Sequence, residues 1–198
     1  MNAMALFEVQ ALTPRPEQPA WSFAIEAGEV LGVYGASGGG KSVLLKKLAD
    51  LLEHDGEVTL NGEAQADVPA RRWRAQVMLF AAETAWWEDT VRAHFKEEID
   101  QAWLKTAFSA LQLPEAMLDQ PVAQLSSGEK QRLALIRGLQ YQPQVLLLDE
   151  VTANLDPDTT HAVEDWVRDY LQERPACAVW VSHDADQLKR VATEQRQL

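Results

Sequence analysis

Apolar residues along this 198-residue chain alternate between two rhythms. Val30 to Tyr34, Val145 to Leu148 and Ala178 to Val181 are short runs without a charged residue, the pattern of strands buried in the middle of a sheet. Leu6 to Val9 and Trp21 to Ile25 read as two further short strands. They are divided by Thr13-Pro14-Arg15-Pro16-Glu17-Gln18-Pro19, where three prolines forbid regular structure, and Gly28 turns the chain into the next strand. Elsewhere apolar residues recur at helical spacing, as in Val43, Leu44, Leu45, Leu48, Leu51 and Leu52, and again in His161 to Leu171. Gly56 to Gly62 predicts a strand closing on an Asn61-Gly62 turn, and Gln76 to Phe80 another strand.

From about Asp89 to Gln140 strand runs disappear, while Phe95, Ile99, Trp103, Leu104, Phe108 and Leu111 follow helical spacing. Strands alternating with helices on either side of an all-helical stretch predict a single α/β domain with a helical insertion. The catalytic α/β part is expected at 1–88 and 141–198 and the helical part at about 89–140. The chain ends soon after its last predicted strand, and no regulatory domain is expected beyond it.

Composition narrows the classes. At 46% hydrophobic the chain can bury a good core, yet no apolar run approaches the ~20 residues of a membrane-spanning helix, and the N-terminus lacks a secretory pattern. A soluble, cytoplasmic protein without direct membrane insertion is expected. With 18 basic and 30 acidic residues the net charge is −12, which disfavours nucleic acid as a partner. The run Arg71-Arg72-Trp73-Arg74 reads as solvated surface. The single Cys177 reads as a small core residue without a redox role.

Four short motifs carry the chemistry. Gly35-Ala36-Ser37-Gly38-Gly39-Gly40-Lys41-Ser42, followed by Val43, fits G-x-x-x-x-G-K-[ST] between a strand and a helix. Its backbone N–H groups would surround phosphate oxygens at a helix N-terminus, Lys41 would reach the β- and γ-phosphates of ATP, and Ser42 would ligate Mg²⁺. Asp149 and Glu150 follow the apolar run from Val145, so both carboxylates leave the C-terminal end of a buried strand. Asp149 is expected to hold Mg²⁺ through water and Glu150 to polarise the attacking water. Ser126, Ser127, Gly128 and Glu129 open a helix, which alone would be an ordinary N-cap. His183, after the last apolar run, would on its own be a structural histidine.

The order phosphate loop, Leu125-Ser126-Ser127-Gly128-Glu129, Asp149-Glu150 and His183 resembles the ABC (ATP-binding cassette) ATPases, whose signature is L-S-G-G-Q/E. The resemblance covers essentially the whole chain. It implies a P-loop NTPase (RecA-like) core with an N-terminal antiparallel β subdomain and an inserted α-helical subdomain. By resemblance His183 contacts the γ-phosphate, and Asn154-Leu155-Asp156 is a D-loop with Asp156 at a dimer seam. Ser126 and Gly128 serve ATP bound by a second copy, and a separate integral-membrane permease holds the homodimer of cassettes peripherally at the inner face of the membrane. The stretch Leu125 to Gln140, continued through Tyr141 to Asp156, looks most like the FetA-type (YbbL-type) bacterial cassettes associated with iron export.

Three departures stand out. A glutamine expected about eight residues before Thr90-Val91 is Ala82 here, and neighbouring Glu83 is the candidate substitute metal ligand. No aromatic residue lies between Ala11 and Ala20 to stack on adenine, and Val151 replaces a proline after Asp149-Glu150. Adjacent Trp86-Trp87 serves either core packing or contact with a permease. A non-transport ABC ATPase and an ATP-dependent interaction module stand as alternatives. The first usually carries a coiled-coil insertion or two cassettes, which 198 residues do not accommodate.

Overall fold

The structure, a computed structural model, describes residues 5–198. Its elements are β1 (Phe7–Leu12), β2 (Trp21–Ile25), β3 (Val30–Tyr34), α1 (Lys41–Leu48), β4 (Glu57–Leu60), β5 (Glu63–Ala64), α2 (Ala70–Gln76) and β6 (Val77–Phe80). There follow α3 (Gln101–Ala110), α4 (Ser127–Leu139), β7 (Val145–Asp149), α5 (Pro157–Glu173), β8 (Cys177–Val181), α6 (Ala185–Val191) and β9 (Glu194–Gln197). A four-stranded antiparallel sheet runs β2-β1-β4-β5, and a five-stranded parallel sheet runs β6-β7-β8-β3-β9. This is an α/β architecture with one antiparallel and one parallel sheet.

The unbroken apolar runs are explained by burial on both faces. Along β7, Val145 and Leu147 pack with Leu44, Leu45 and Leu48 of α1 and with the antiparallel sheet. Leu146 and Leu148 point the other way, into a second core built by α3, α4 and α5. Cys177 and Val179 repeat the first face along β8, and Ala178 and Trp180 the second. Cys177 is buried, and burial pushes its thiol up to about 12, as expected of an inert core residue.

Several elements differ from their sequence patterns. α1 stops at Leu48, because Asp50 adopts a left-handed φ of 57° and the N–H groups of Asp50 and Leu51 bond back to Lys47 O (3.0 Å) and Lys46 O (2.8 Å). Leu51 and Leu52 consequently lie outside the helix and exposed. Phe95 and Ile99 precede α3, which starts where the Asp100 carboxylate accepts from Ala102 N–H (2.8 Å) and Trp103 N–H (3.2 Å). Both still pack on the core.

The arginine-rich run is helix α2 and not simply solvated surface. Trp73 is buried, its Nε1–H bonded to Leu48 O at 2.9 Å. Arg72 pairs with Glu63 (3.2 Å) and Arg74 with Asp50 (3.3 Å). Among the described residues no helix is long and apolar enough to cross a membrane.

Gly138, inside α4, faces the end of β6: a β-carbon there would run into the Phe80 ring and lie 3.0 Å from Met78 Sδ. Alanine is the better helix former by about 1 kcal/mol, but overpacking against a buried ring costs about 2–3 kcal/mol, the upper part of the usual range. Gly138→Ala is expected to lose roughly 1–2 kcal/mol net and lower Tm by about 2–8 °C. A calorimetric Tm equal to that of the wild type would contradict this packing.

Candidate phosphate-binding and hydrolysis site

β3 delivers the chain to the loop Gly35 to Gly40, and α1 begins at Lys41. Gly40 caps α1 with φ 101°, and a β-carbon there would lie 3.1 Å from Gln18 Oε1 and 3.2 Å from Arg15 Nε. The left-handed backbone favours glycine, and any side chain would also have to displace Gln18 and Arg15. Lys41 is buried, its Nζ donating to Gly35 O (2.9 Å) and Ala36 O (3.1 Å). The ammonium is therefore folded under the loop, with its charge concentrated on one pocket. That pocket, of about 190 Å³, is lined by Arg15, Ser37, the glycines Gly38 to Gly40, Lys41, Ser42 and Val43 on one side. Ala82, Asp149, Glu150 and His183 line the other.

Asp149 ends β7 and is buried. Glu150 follows in a left-handed conformation, φ 53°, its N–H bonded to Val181 O at 3.1 Å. Such a backbone costs of order 1–3 kcal/mol and persists only where the surroundings over-determine it. It aims the carboxylate at the pocket. Glu150 Oε1 lies 3.0 Å from His183 Nε2 but has no aligned hydrogen-bond donor, leaving a buried acceptor open. Burial pushes the Glu150 carboxyl above its ordinary range, opposed by the nearby His183 and Lys41. A carboxylate so raised is a better proton acceptor near neutral pH than an ordinary one.

The donor set fits a nucleotide phosphate with its metal. Among the described residues no group of three or more His, Cys, Asp or Glu side chains could hold a metal ion alone. Mg²⁺ is usually held by one or two carboxylates together with substrate phosphates, and Ser42 and Asp149 on one pocket match that pattern. The unpartnered Glu150 oxygen points to a further polar guest, such as a water.

Glu83 is not brought to this set. Ala82 lines the phosphate pocket, whereas Glu83, expected in place of the missing glutamine, lines a separate groove with Trp87 and Arg137. Among the described residues no Phe, Tyr or Trp lines the phosphate pocket. Arg15 does, and Gln18 Nε2 donates to Gly39 O at 2.8 Å. Neither stood out in the sequence, where both are lost among the loop prolines.

The signature residues lie elsewhere. Ser126 caps α4: its hydroxyl accepts from Glu129 N–H (3.3 Å), and Glu129 Oε2 accepts from Ser126 N–H (2.8 Å). These bonds hold the Glu129 carboxyl below its usual range. Ser127 enters the helix without left-handed strain, so its substitution for glycine has no backbone cost. A β-carbon on Gly128 would lie 3.0 Å from Leu155, so the first turn of α4 packs against the Asn154-Leu155-Asp156 loop. None of Ser126, Ser127, Gly128 or Glu129 lines the phosphate pocket of its own chain. Asp156 caps α5, accepting from Thr159 N–H (3.0 Å) and Thr159 Oγ1–H (2.6 Å), which keeps its carboxyl below the usual range.

A phosphate loop at the end of β3, a histidine after the adjacent β8 and two carboxylates at the end of β7, on the far side of β8, define a nucleotide-hydrolysing P-loop protein. Comparison with known proteins takes the class further. The family described as ABC transporter matches residues 20–153. "Probable iron export ATP-binding protein FetA" of Escherichia coli (strain K12) is 35% identical over 175 residues, 84% of this chain and 78% of that protein. "Methionine import ATP-binding protein MetN 3" of Shouchella clausii (strain KSM-K16) is 32% identical over 181 residues, 84% of this chain but 53% of that protein, so the chain spans about half of this relative. Among solved structures, cbiO1 from Clostridium perfringens, part of the ABC transporter complex cbiONQ, matches with TM-score 0.78 and 20% identity over 98% of this chain and 84% of that one. This chain belongs to the ABC transporter ATP-binding family, whose members bind and hydrolyse ATP.

Proposed function

We propose that this chain is the ATP-hydrolysing subunit of an ABC transporter, working as a homodimer at the inner face of a membrane beneath a separately encoded permease. The observation that carries the dimer is the separation within one chain: the exposed Ser126-Ser127 turn lines no part of the phosphate pocket that would need it. A second copy facing the first would supply Ser126 and Gly128 to ATP held by Gly35 to Val43, with Asp156 at the seam. Mg²⁺ held by Ser42 and Asp149 would neutralise phosphate charge. Within this reading Glu150 accepts the proton of the attacking water, Lys41 and the loop N–H groups bear the phosphate charge, and His183 contacts the γ-phosphate.

The groove beside the Ala82-Glu83 loop supports permease docking. It has a volume of about 300 Å³, with Trp87 67% exposed at its rim, while Trp86 packs on the core. Arg137 lies over both indoles, 4.4 and 4.7 Å from the ring centroids, and its NH1 donates to Ala85 O at 2.7 Å. Since Arg137 belongs to α4, a partner seated in the groove would act directly on the helix that begins with the signature. Trp86→Ala with Trp87→Ala is expected to lose permease co-purification while ATP binding persists; unchanged co-purification removes the docking assignment.

Iron export is the cargo that the likeness to FetA favours, although no residue of this chain touches cargo. Iron content of cells lacking the protein checks it, and accumulation on deletion is the expected result. The ATP-dependent interaction module keeps one observation in its favour, the apolar Ala82 in the pocket. Wild-type turnover, alone or with the permease, separates it from the transporter subunit.

A further inference from the structure

Glu150 and His183 stand on separate loops, after β7 and β8, and the interior behind them contains the link between those loops. Thr152, two residues beyond Glu150, meets Gln187, four beyond His183: Gln187 Nε2 donates to Thr152 Oγ1 at 2.8 Å. The same nitrogen donates to Glu164 Oε1 of α5 at 2.9 Å. Arg190 completes the set as a fork, Nε to Glu164 Oε2 at 3.0 Å and NH2 to Oε1 at 2.8 Å. Thr152 is 7%, Glu164 2% and Gln187 2% exposed.

We propose that Gln187 is a positioning residue for hydrolysis: through Thr152 and Glu164 it sets the distance between Glu150 and His183. The inference rests on the reading of those two groups as the water-activating and phosphate-contacting residues. Three features carry it. A buried charge such as Glu164 is weak as a source of stability, since apolar side chains of the same volume do as well or better. What a fully satisfied polar network adds is direction, which apolar packing lacks.

The connection is also stiff at both ends. Glu150 holds its left-handed backbone between Val181 O on one side and the Thr152 anchor on the other. His183 sits in a locked turn, with Asp184 N–H donating to Ser182 Oγ (3.0 Å) and the Asp184 carboxylate accepting from Asp186 N–H (2.9 Å) and Gln187 N–H (3.1 Å). A shift of Gln187 is therefore passed to His183 through a single short turn. Finally, the Glu150–His183 contact of 3.0 Å has no aligned hydrogen bond of its own, so its length follows the two loops, which β7–β8 pairing holds in front and this network ties together behind.

The test is a double-mutant cycle on the full chain, reading kcat and KM for Mg·ATP together with Tm. Gln187→Met keeps the length of the side chain and removes its hydrogen bonds. It is expected to lower kcat about 10- to 100-fold, as a displacement near 1 Å does, with KM changed less than about twofold. In a His183→Ala background the same substitution should cost less than about threefold, because the group it positions is gone. An equal loss in both backgrounds assigns Gln187 to general packing and overturns the inference alone. Turnover unaffected by His183→Ala overturns the site assignment and the inference with it. Should Gln187→Met not fold, Thr152→Val, which preserves shape and removes only the link on the Glu150 side, takes its place in the cycle. Loss of the fold in both variants makes the network structural and overturns the inference.

Discussion

Glu150→Gln is expected to slow ATP hydrolysis about 10²–10⁴-fold, the contribution of a positioned general base, without weakening ATP binding. The amide keeps the size of the carboxylate and can still occupy the left-handed position after β7, but it cannot accept a proton from water. The wild type should show an acid limb in its pH–rate profile. Burial raises the Glu150 carboxyl, so the proton stays on to a higher pH than on an ordinary carboxylate. Activity is lost as pH falls through that raised value and is complete above it. The limb should vanish in the Gln variant.

The same substitution tests the dimer. With hydrolysis blocked, Mg·ATP should remain between two copies and hold them together, since each chain presents its signature away from its own pocket. Light scattering of Glu150→Gln with Mg·ATP reads the mass. A single-chain mass at every concentration, with and without permease, sinks the dimer. Turnover above half of the wild type sinks the general base.

Lys41→Ala is expected to remove ATP binding more severely than any other single change in the loop. Lys41 is 6% exposed as a residue and its ammonium is already aligned by two loop carbonyls, so little ordering remains to be done when phosphate arrives. Taking away one partner of a desolvated charge pair costs about 2–5 kcal/mol, or roughly 30- to 5,000-fold in affinity. The loop itself should survive, because Gly39 N–H still bonds Ala36 O at 3.0 Å. Calorimetric titration with ATP checks the affinity and a melting curve checks the loop. A loss below about threefold would mean that Nζ does not face the phosphates.

Much of this site is legible along the chain because its chemistry is local. A Gly-rich loop between strand and helix can be recognised from eight consecutive residues, and Asp149-Glu150 from the apolar run that precedes it. The central strands are legible for a related reason: burial on both faces leaves no polar position to confuse the pattern. The short pieces were not. α2 and α6 have seven residues each and β9 four, all polar, too few for a period to emerge. β9 is a strand because β3 offers it an edge, as Gln195 and Arg196 pair alongside Gly32 and Val33.

Local order in the sequence by itself determined the fold class, the phosphate loop, the two carboxylates and the family, since each depends on neighbours a few bonds away. Tertiary structure alone decided that Ala82 and not Glu83 lines the phosphate-loop pocket and that Trp86 packs half-buried against the core while Trp87 is exposed. It also decided that Thr152, Glu164, Gln187 and Arg190 form one buried network. Those outcomes depend on which side of a loop a residue faces and on groups up to 38 positions apart being packed together, and no pattern of adjacent residues encodes them.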